Sequence, residues 1–483
     1  MTKLSRLCVA LAAAAGLTAA VSAQAAVTIQ IINGDPPNVG FNDPTPVAAV
    51  GGNAGTTLGQ QRLNVYNAVA AKWGATLTSS VPIVVYATNE PLDCDETSGV
   101  LGSAGPAFVF KNFDGAPFKK TWYVSALANK LSGVDLQPPD PSGEDIYTQT
   151  GADIVARFNS NLGTPGCLPD APFYLGLDNA HGDLIDFYTV LLHEFGHGLG
   201  FLAITDGQTG LRLRNTPDIW EHYIYDNNAA KLWLDMTTAE RRASAISGRN
   251  VVWNGGLVKS SAASVLVPGM PELDVTSTAV PSASGAYDVG RASFGAPLSA
   301  GGVTGDLTVY GTQPGETGPG CDPFDKGNKR AARGNIIIID RGACAFTVKV
   351  KNAQQAGAIG VVIADNVAGT PPPDLGGSDP TITIPAVRVT QDDGRTLKQA
   401  ARHLGGSTTA TIRLNTAKLA GADASGRPYL YTPSPYSPGS SVSHWDTSAF
   451  KNLLMEPFIN DDLLHEVTPP ADLTFKLLQD TGW

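Results

Sequence analysis

Residues 184–200 read LIDFYTVLLHEFGHGLG. Apolar residues recur there at spacings of three and four, which predicts an α-helix from about Leu184 to Leu199. His193 and His197 are four residues apart, so both lie on one face of this helix and can reach a single cation. Glu194 lies about 100° around the helix, beside the position of a water at that cation. The opposite face is apolar and is expected to be buried: Phe187, Leu191, Phe195 and Leu199.

The two histidines predict a zinc site, because imidazole ligands with one open position suit the tetrahedral preference of Zn²⁺. A catalytic zinc usually has three protein ligands, so another His, Glu or Asp must come from elsewhere in the chain. Gly200 allows the backbone to turn away from the helix toward such a residue. Four residues are candidates for the third ligand: Glu221, His444, Glu456 and His465.

The motif resembles that of the metzincin zinc peptidases, H-E-x-x-H-x-x-G-x-x-H followed later by a methionine turn. The third histidine of that pattern would fall at residue 203, which is alanine here. The chain is more similar to the leishmanolysin-like branch, in which the third histidine follows an insertion and belongs to a His-Trp pair upstream of the turn methionine. Here His444-Trp445 and Met455, eleven residues after the histidine, reproduce that pattern.

This resemblance implies a secreted zinc endopeptidase that hydrolyses peptide bonds of proteins through a zinc-activated water. His193, His197 and His444 would be the metal ligands and Glu194 the general base, with Met455 beneath the zinc. The implied fold class is α+β. A metzincin-like catalytic domain, with a twisted sheet and an active-site helix, is interrupted by a second domain of α/β type.

Periodicity predicts the elements that precede the motif. Val27–Ile32 and Val81–Tyr86 are expected strands, and Leu58–Trp73 is an expected helix that ends at Gly74. This helix and the strand after it are similar to the start of a metzincin domain. Asp153–Asn159 is a further short strand, and we hypothesise that it lines the cleft and pairs with an extended peptide by strand addition.

A second block has a strand, helix, strand pattern, with an apolar strand at Asn335–Asp340, a helix at Phe346–Ala356 and an apolar strand at Gly360–Ala364. The sequences RGACAF at 341–346 and AGAIG at 356–360 look like those of a protease-associated (PA) domain, which would span roughly residues 285–410. The resemblance implies a domain without catalytic residues that binds protein partners or shapes substrate access. Its insertion also accounts for the 247 positions between His197 and His444.

Four segments are predicted along the chain: a signal peptide at 1–25, the first part of the catalytic domain at 26–284, the PA domain at 285–410 and the second part of the catalytic domain at 411–483. Lys3 and Arg6 precede an apolar run and a small-x-small cleavage site at 23–25, a pattern typical of a signal peptide. The mature chain is therefore expected outside the cytoplasm, either extracellular or periplasmic.

Export makes disulfides the default state of the four cysteines that follow the leader. Pairing sequence neighbours, Cys94 with Cys167 and Cys321 with Cys344, keeps each bridge inside one predicted domain. The net charge of −11 opposes nucleic acid or an anionic membrane as the main partner, and protein or peptide substrates are expected instead. After the leader, no uninterrupted apolar stretch reaches the roughly 20 residues of a membrane span.

Two rival functions remain open at this level. A non-catalytic, zinc-containing binding or adhesion protein, whose PA domain mediates protein interaction, would carry the same motifs. A zinc hydrolase acting on a non-peptide bond would carry them as well. Retained function after Glu194→Ala would favour the binding protein, and a panel of substrates would separate the two hydrolases.

Overall fold

The computed structural model describes residues 26–483, so the predicted signal peptide lies outside the described residues. The chain has a mixed α/β fold with ten α-helices in the described part. They are α1 Leu58–Thr76, α2 Ser125–Ser132, α3 Ile146–Thr150, α4 Phe187–Gly198, α5 Thr238–Ser244, α6 Gly256–Val265, α7 Lys326–Ala332, α8 Phe346–Gln355, α9 Gln391–Arg402 and α10 Thr474–Thr481.

The strands fall into two groups, one before and one after residue 267. The first group is β1 Ile29–Asn33, β2 Ile83–Glu90, β3 Gly102–Pro106, β4 Val109–Phe110, β5 Tyr123–Val124, β6 Ile154–Asn159, β7 Phe173–Tyr174, β8 Ile185–Asp186, β9 Ile224–Asp226, β10 Lys231–Leu232 and β11 Val251–Trp253. The second group is β12 Pro268–Ser277, β13 Gly285–Asp288, β14 Gly290–Arg291, β15 Val303–Val309, β16 Ile336–Asp340, β17 Gly360–Ala364, β18 Ala386–Val389 and β19 Thr408–Leu419.

The main sheet of the first group has the order β1-β2-β6-β3. β1, β2 and β6 are parallel, whereas β3 runs antiparallel to β6 and forms an edge. Along β2 every second residue is fully buried, which is the pattern of a strand with one face on the core. α4 packs against β3 and β6, and α1 packs against α4. The sheet and these two helices therefore form the core that supports residues 193–197.

Helix α1 begins at the predicted residue but continues beyond the predicted end. Thr57 caps its N-terminus, because its hydroxyl accepts a hydrogen bond from the Gln60 backbone N–H. The prediction that Gly74 ends the helix was wrong, since α1 runs on to Thr76. A Cβ atom at Gly74 would lie 2.7 Å from the Val27 carbonyl oxygen, so this glycine permits close packing of the chain on the helix.

The hypothesis that the 153–159 strand pairs with a peptide was wrong. β6 is bonded to β2 on one side and to β3 on the other, so neither of its edges is open. β3 was not predicted as a strand, because its sequence, GSAGP, lacks the β-branched and aromatic residues that mark strands. The edge strands of this sheet are β1 and β3, and β3 is the one with residues that line the cleft described below.

The second group of strands forms one eight-stranded sheet with the order β13-β12-β19-β15-β16-β17-β18-β14. β16 is isoleucine at four consecutive positions and is buried on both faces, as expected for a parallel strand covered on both sides. Separate hydrophobic clusters lie on the two faces of this sheet. The sheet extends from Pro268 to Leu419, so the predicted boundaries at 285 and 410 both lie inside it.

Both predicted disulfides are confirmed. Cys94 is bonded to Cys167 and Cys321 to Cys344, with loop separations of 73 and 23 residues. Each bridge contributes on the order of 2–4 kcal/mol of stability by restricting the unfolded chain. Among residues 26–483, none of the helices combines the length and the apolar character needed to cross a bilayer.

Candidate metal centre and active site

Helix α4 carries the first two histidines. The prediction placed its start at Leu184, but Ile185 and Asp186 form β8 and the helix begins at Phe187. The Asp186 carboxylate accepts hydrogen bonds from the backbone N–H groups of Tyr188 and Thr189, and so caps the helix. The helix ends at Gly198, and Gly200 follows with φ +116°, which turns the chain away as expected.

His444 follows the inserted sheet in sequence, and its segment returns to the end of this helix. Ala203 occupies the position of the third histidine in the pattern H-E-x-x-H-x-x-G-x-x-H, which we call the short motif. It donates its backbone N–H to the Ser443 hydroxyl at 3.1 Å. The Trp445 ring packs edge-on against Phe201 with centroids 5.3 Å apart, and Trp445 is fully buried. These contacts attach the 443–445 segment to the turn after α4, so His444 takes the place of the third histidine of the short motif.

The three imidazoles converge through their Nε2 atoms. The Nε2–Nε2 distances are 3.1 Å between His193 and His197, 3.2 Å between His197 and His444, and 3.3 Å between His193 and His444. Each Nδ1 lies 2.7–2.9 Å from a backbone carbonyl oxygen, of Leu454, Phe201 and Ser440 respectively. A carbonyl oxygen only accepts, so each neutral ring carries its proton on Nδ1 and directs an Nε2 lone pair into the cluster.

Three lone pairs at these distances repel unless a cation lies between them. Zn–N bonds of about 2.0–2.1 Å at tetrahedral angles would place neighbouring ligand atoms about 3.3–3.4 Å apart, close to the observed spacing. Burial lowers the pKa of His193 to about 4 and that of His197 to about 3, so both rings are neutral at physiological pH. The donor set therefore fits zinc, with the Nδ1 hydrogen bonds as orienting contacts.

Glu194 lies beside the cluster and is not part of it. Its side chain lines the same cavity as the three histidines and is 9% exposed. Burial raises the pKa of Glu194 to about 8, and a hydrogen bond from the backbone of Ala104 in β3 opposes that rise. A divalent cation nearby would also lower this pKa and so favour the ionised carboxylate. The group is thus placed to take and release a proton near neutral pH.

Met455 packs beneath α4. Its side chain is fully buried, and its backbone carbonyl accepts a hydrogen bond from the Trp445 backbone N–H at 2.8 Å. A Cβ atom at Gly196 would lie 2.7 Å from the Met455 sulfur. Gly196 has no role predicted from the sequence, yet it leaves room for the methionine between the two histidines of the helix.

Gly196→Ala is expected to lower the free energy of unfolding by about 1–2 kcal/mol, because the clash with Met455 exceeds the gain in helix propensity. Gly256→Ala is the matched control, since a Cβ at that helical position would meet nothing within 4 Å. Thermal melts of the two variants measure the difference. Equal melting temperatures would contradict the close packing of Met455 on α4.

The other candidates for the third ligand lie outside the cluster. Glu221 is fully buried and bound to Arg212 at 2.6 Å and to the Thr205 hydroxyl at 2.6 Å. The His465 Nε2 atom is 2.6 Å from the Asp186 carboxylate, and Glu456 accepts the backbone N–H of Leu453 at 2.7 Å. Among the described residues, the group that could hold a metal is His193, His197 and His444.

The histidines open onto a cleft of about 1040 Å³. One wall consists of residues 97–104, which include the start of β3, and the other consists of residues 438–444 and 456–463. Apart from His444 and Glu456, these wall residues were not identified from the sequence, because they belong to loops and a glycine-rich edge strand. Asp186 also lines the cleft, and its position just before the apolar helix is a capping signal that could have been found.

Comparison with known proteins identifies the inserted sheet. The family model "PA domain" matches residues 303–397. Vacuolar-sorting receptor 1 from Pisum sativum is 35% identical over 126 residues, which are 24% of this chain and 20% of the receptor. The probable lipoprotein aminopeptidase LpqL from Mycobacterium tuberculosis is 34% identical over 124 residues, 26% of this chain and 23% of that protein.

Among solved structures, the zinc aminopeptidase BSAP from Bacillus subtilis is similar with a TM-score of 0.23 and 26% identity, covering 33% of this chain and 36% of that one. The chain thus spans less than a quarter of the two curated relatives. Residues 303–397 form a PA domain, inserted between the segment that carries His193 and His197 and the segment that carries His444.

Proposed function

We propose that this chain is an exported zinc-dependent endopeptidase whose catalytic part is metzincin-like, of the leishmanolysin-like branch, with an inserted PA domain. The convergence of three imidazole lone pairs beside a buried carboxylate supports this proposal most directly. The similarity to a probable aminopeptidase supports a function in the peptidase class. His193, His197 and His444 would hold the zinc ion.

When bound, zinc supplies a Lewis acid and lowers the pKa of water toward neutrality. Glu194 then acts as the general base: its carboxylate takes a proton from the attacking water and passes it to the nitrogen of the leaving amine. The carbonyls of Leu454, Phe201 and Ser440 hold the imidazoles in the ligating tautomer. Met455 supports the helix from below.

The cleft suits an extended polypeptide. β3 is bonded to β6 along one edge, and residues 102–104 of β3 line the cleft. An extended substrate can add to the open edge of β3 through backbone hydrogen bonds, which places a peptide bond near Glu194 without recognition of a chain terminus. This arrangement supports an endopeptidase.

A binding protein is the second candidate function. The similarity to vacuolar-sorting receptors favours it, because these relatives are receptors rather than peptidases. In that case the PA domain would bind a protein partner, and the zinc site would have a structural role.

Removal and restoration of zinc separates the two functions. The purified chain from Ala26 to Trp483 is expected to cleave a denatured protein, to lose at least about 99% of this activity in a chelator and to recover it with added zinc. Mass spectrometry of the products shows whether internal bonds are cut. A folded, zinc-loaded protein that cuts no bond in a panel of denatured proteins would contradict the endopeptidase and favour the binding protein.

A further inference from the structure

A second cavity, of about 740 Å³, lies between the PA-domain sheet and the rest of the chain. The two parts meet around it. Thr370, in the loop after β17, forms a backbone bridge with Ser434 at 3.1 Å, and the Arg291 guanidinium lies 5.3 Å from the centre of the Phe450 ring. We call this cavity the interdomain pocket.

The interdomain pocket is rich in arginine. Arg291, Arg341 and Arg388 line it from the PA-domain sheet, and Arg249 lines it from the other side. The acidic side chains are already engaged: Asp365 binds both Arg341 and Arg388, and Asp374 lies 3.9 Å from Arg291.

The fourth arginine, Arg249, is paired with Asp446. Glu456 also lines the pocket, and burial raises its pKa well above the usual value, which favours its neutral form. Four arginines and three acidic side chains, Asp365, Asp374 and Glu456, line the pocket, so arginines are in excess along its surface.

Arg249 has unused hydrogen-bonding capacity. Its side chain is only 6% exposed and its Nε donates to the Asp446 carboxylate at 3.1 Å. Its Nη1 atom is buried and has no hydrogen-bond acceptor among the described residues, and the hydroxyl of Ser448, which lines the same pocket, is also without a partner there. The Oδ2 atom of Asp446, on the carboxylate that Arg249 binds, is likewise without a donor in the described part of the chain. A buried guanidinium donor without an acceptor is costly, so a ligand that brings an anionic oxygen would be stabilised here.

The pocket adjoins the cleft of the metal centre. Glu456, Phe458 and Asn460 line both cavities, and Ser437 in the pocket is followed directly by residues 438–440 of the cleft wall. The two cavities differ in charge. Within the described part of the chain, no arginine or lysine lines the cleft, whereas three aspartates do: Asp183, Asp186 and Asp461. A polypeptide that extends from the cleft past the 456–460 segment would pass from acidic to basic surroundings.

We propose that the interdomain pocket is a carboxylate-binding subsite for the polypeptide substrate, with Arg249 and Ser448 as its main donors. This inference rests on the proposed endopeptidase function. For an endopeptidase this carboxylate is that of an acidic side chain at a fixed distance from the cleaved bond; recognition of the substrate's C-terminal carboxylate would instead indicate an exopeptidase. The PA domain thereby contributes to substrate selection.

Peptides with one acidic residue test this subsite. In a cleavable peptide, a single Glu is moved from position to position, with Gln at the same position as the control. At one position or a short run of positions, kcat/KM is expected to be about tenfold higher for Glu than for Gln, the effect of one charge-assisted hydrogen bond. A second series ends the peptide at each position as the free acid or the amide, which distinguishes a side-chain carboxylate from a C-terminal one.

Three variants assign the preference to the pocket. Arg249→Lys retains a charge beside Asp446 but loses the forked donor, and Ser448→Ala removes the hydroxyl. Each is expected to reduce the Glu-over-Gln ratio at least about threefold, as for the loss of a neutral hydrogen bond, and Ser448→Ala carries the test if Arg249→Lys fails to fold. Arg395→Lys is the matched control, because Arg395 is an exposed arginine on α9 that does not line the pocket.

Fluorescence anisotropy of labelled Glu and Gln peptides with the Glu194→Gln protein measures binding without turnover. Cleavage with equal kcat/KM for Glu and Gln and for acid and amide at every position, or a preference undiminished in both Arg249→Lys and Ser448→Ala, overturns the subsite and leaves the endopeptidase standing. Conversely, absence of cleavage together with binding that depends on the peptide carboxylate and on Arg249 contradicts the endopeptidase alone.

Discussion

Replacement of Glu194 by glutamine is expected to lower kcat by roughly 10²–10⁴-fold, the usual contribution of general acid–base catalysis. Glutamine has nearly the same size and can accept the same backbone hydrogen bond from Ala104, but its amide cannot take a proton at neutral pH. Zinc content is expected to match the wild type, because Glu194 is not one of the three converging ligands. kcat and kcat/KM should fall together, as for an interaction made only in the transition state.

The control for this variant is Glu144→Gln, which removes an exposed carboxylate from a loop outside the cleft and should leave kcat unchanged. Activity is followed with a quenched fluorescent peptide, and zinc content with atomic absorption. A Glu194→Gln protein that cleaves within about tenfold of the wild-type rate would refute the role of this residue as the base. Loss of zinc in that variant would instead make Glu194 part of the metal site.

Local patterns predict those parts of the structure that depend on local sequence. The period of α4 places His193, Glu194 and His197 correctly, because helical geometry alone fixes their relative positions. Both disulfides were predicted from the expectation of export and from pairing within a domain. β16 and β17 are recognised because buried parallel strands are continuous apolar runs. The helix and the strands depend on neighbouring residues alone, and the disulfides depend only on which domain each cysteine belongs to.

Features that depend on distant contacts could not be predicted in the same way. β3 is a strand because β6 offers it a partner, despite its sequence GSAGP. The role of Gly196 becomes visible only when Met455, 259 positions later by the numbering, is packed against it. Glu221 has the character of a metal ligand by sequence, but Arg212 and Thr205 occupy its carboxylate. Spacing alone does not reveal such competing partners.

His444 illustrates how a resemblance can supply what spacing cannot. The short motif places its third histidine at residue 203, on the turn that follows α4. Here the Ala203 N–H binds the Ser443 hydroxyl, and Phe201 packs on Trp445, so a segment 240 positions away is held at the same turn. The PA domain separates the two segments in sequence, yet His444 still reaches the turn after α4.

His444→Ala is accordingly expected to weaken zinc binding by more than the roughly 10–100-fold that loss of an orienting contact costs, because it removes a ligand itself. Two imidazoles leave zinc short of the three protein ligands of a catalytic site, so cleavage should fall below about 1% of wild type. The stabilisation by zinc should shrink as well. A melt with zinc at about 100 times its dissociation constant gains about 2.7 kcal/mol in the wild type, and most of this gain should disappear in the variant.

His465→Ala is the decisive control, because His465 lies near the same cleft and was a candidate ligand by sequence. Its imidazole stacks on the Tyr188 ring with centroids 3.9 Å apart and binds Asp186, the cap of α4, so its loss lowers stability but leaves the three Nε2 atoms in place. Zinc titration followed by melting temperature compares the two variants. If His465→Ala lost the zinc-dependent shift and His444→Ala kept it, the third ligand would be His465, and the hydrogen bonds that position His444 would serve only the fold.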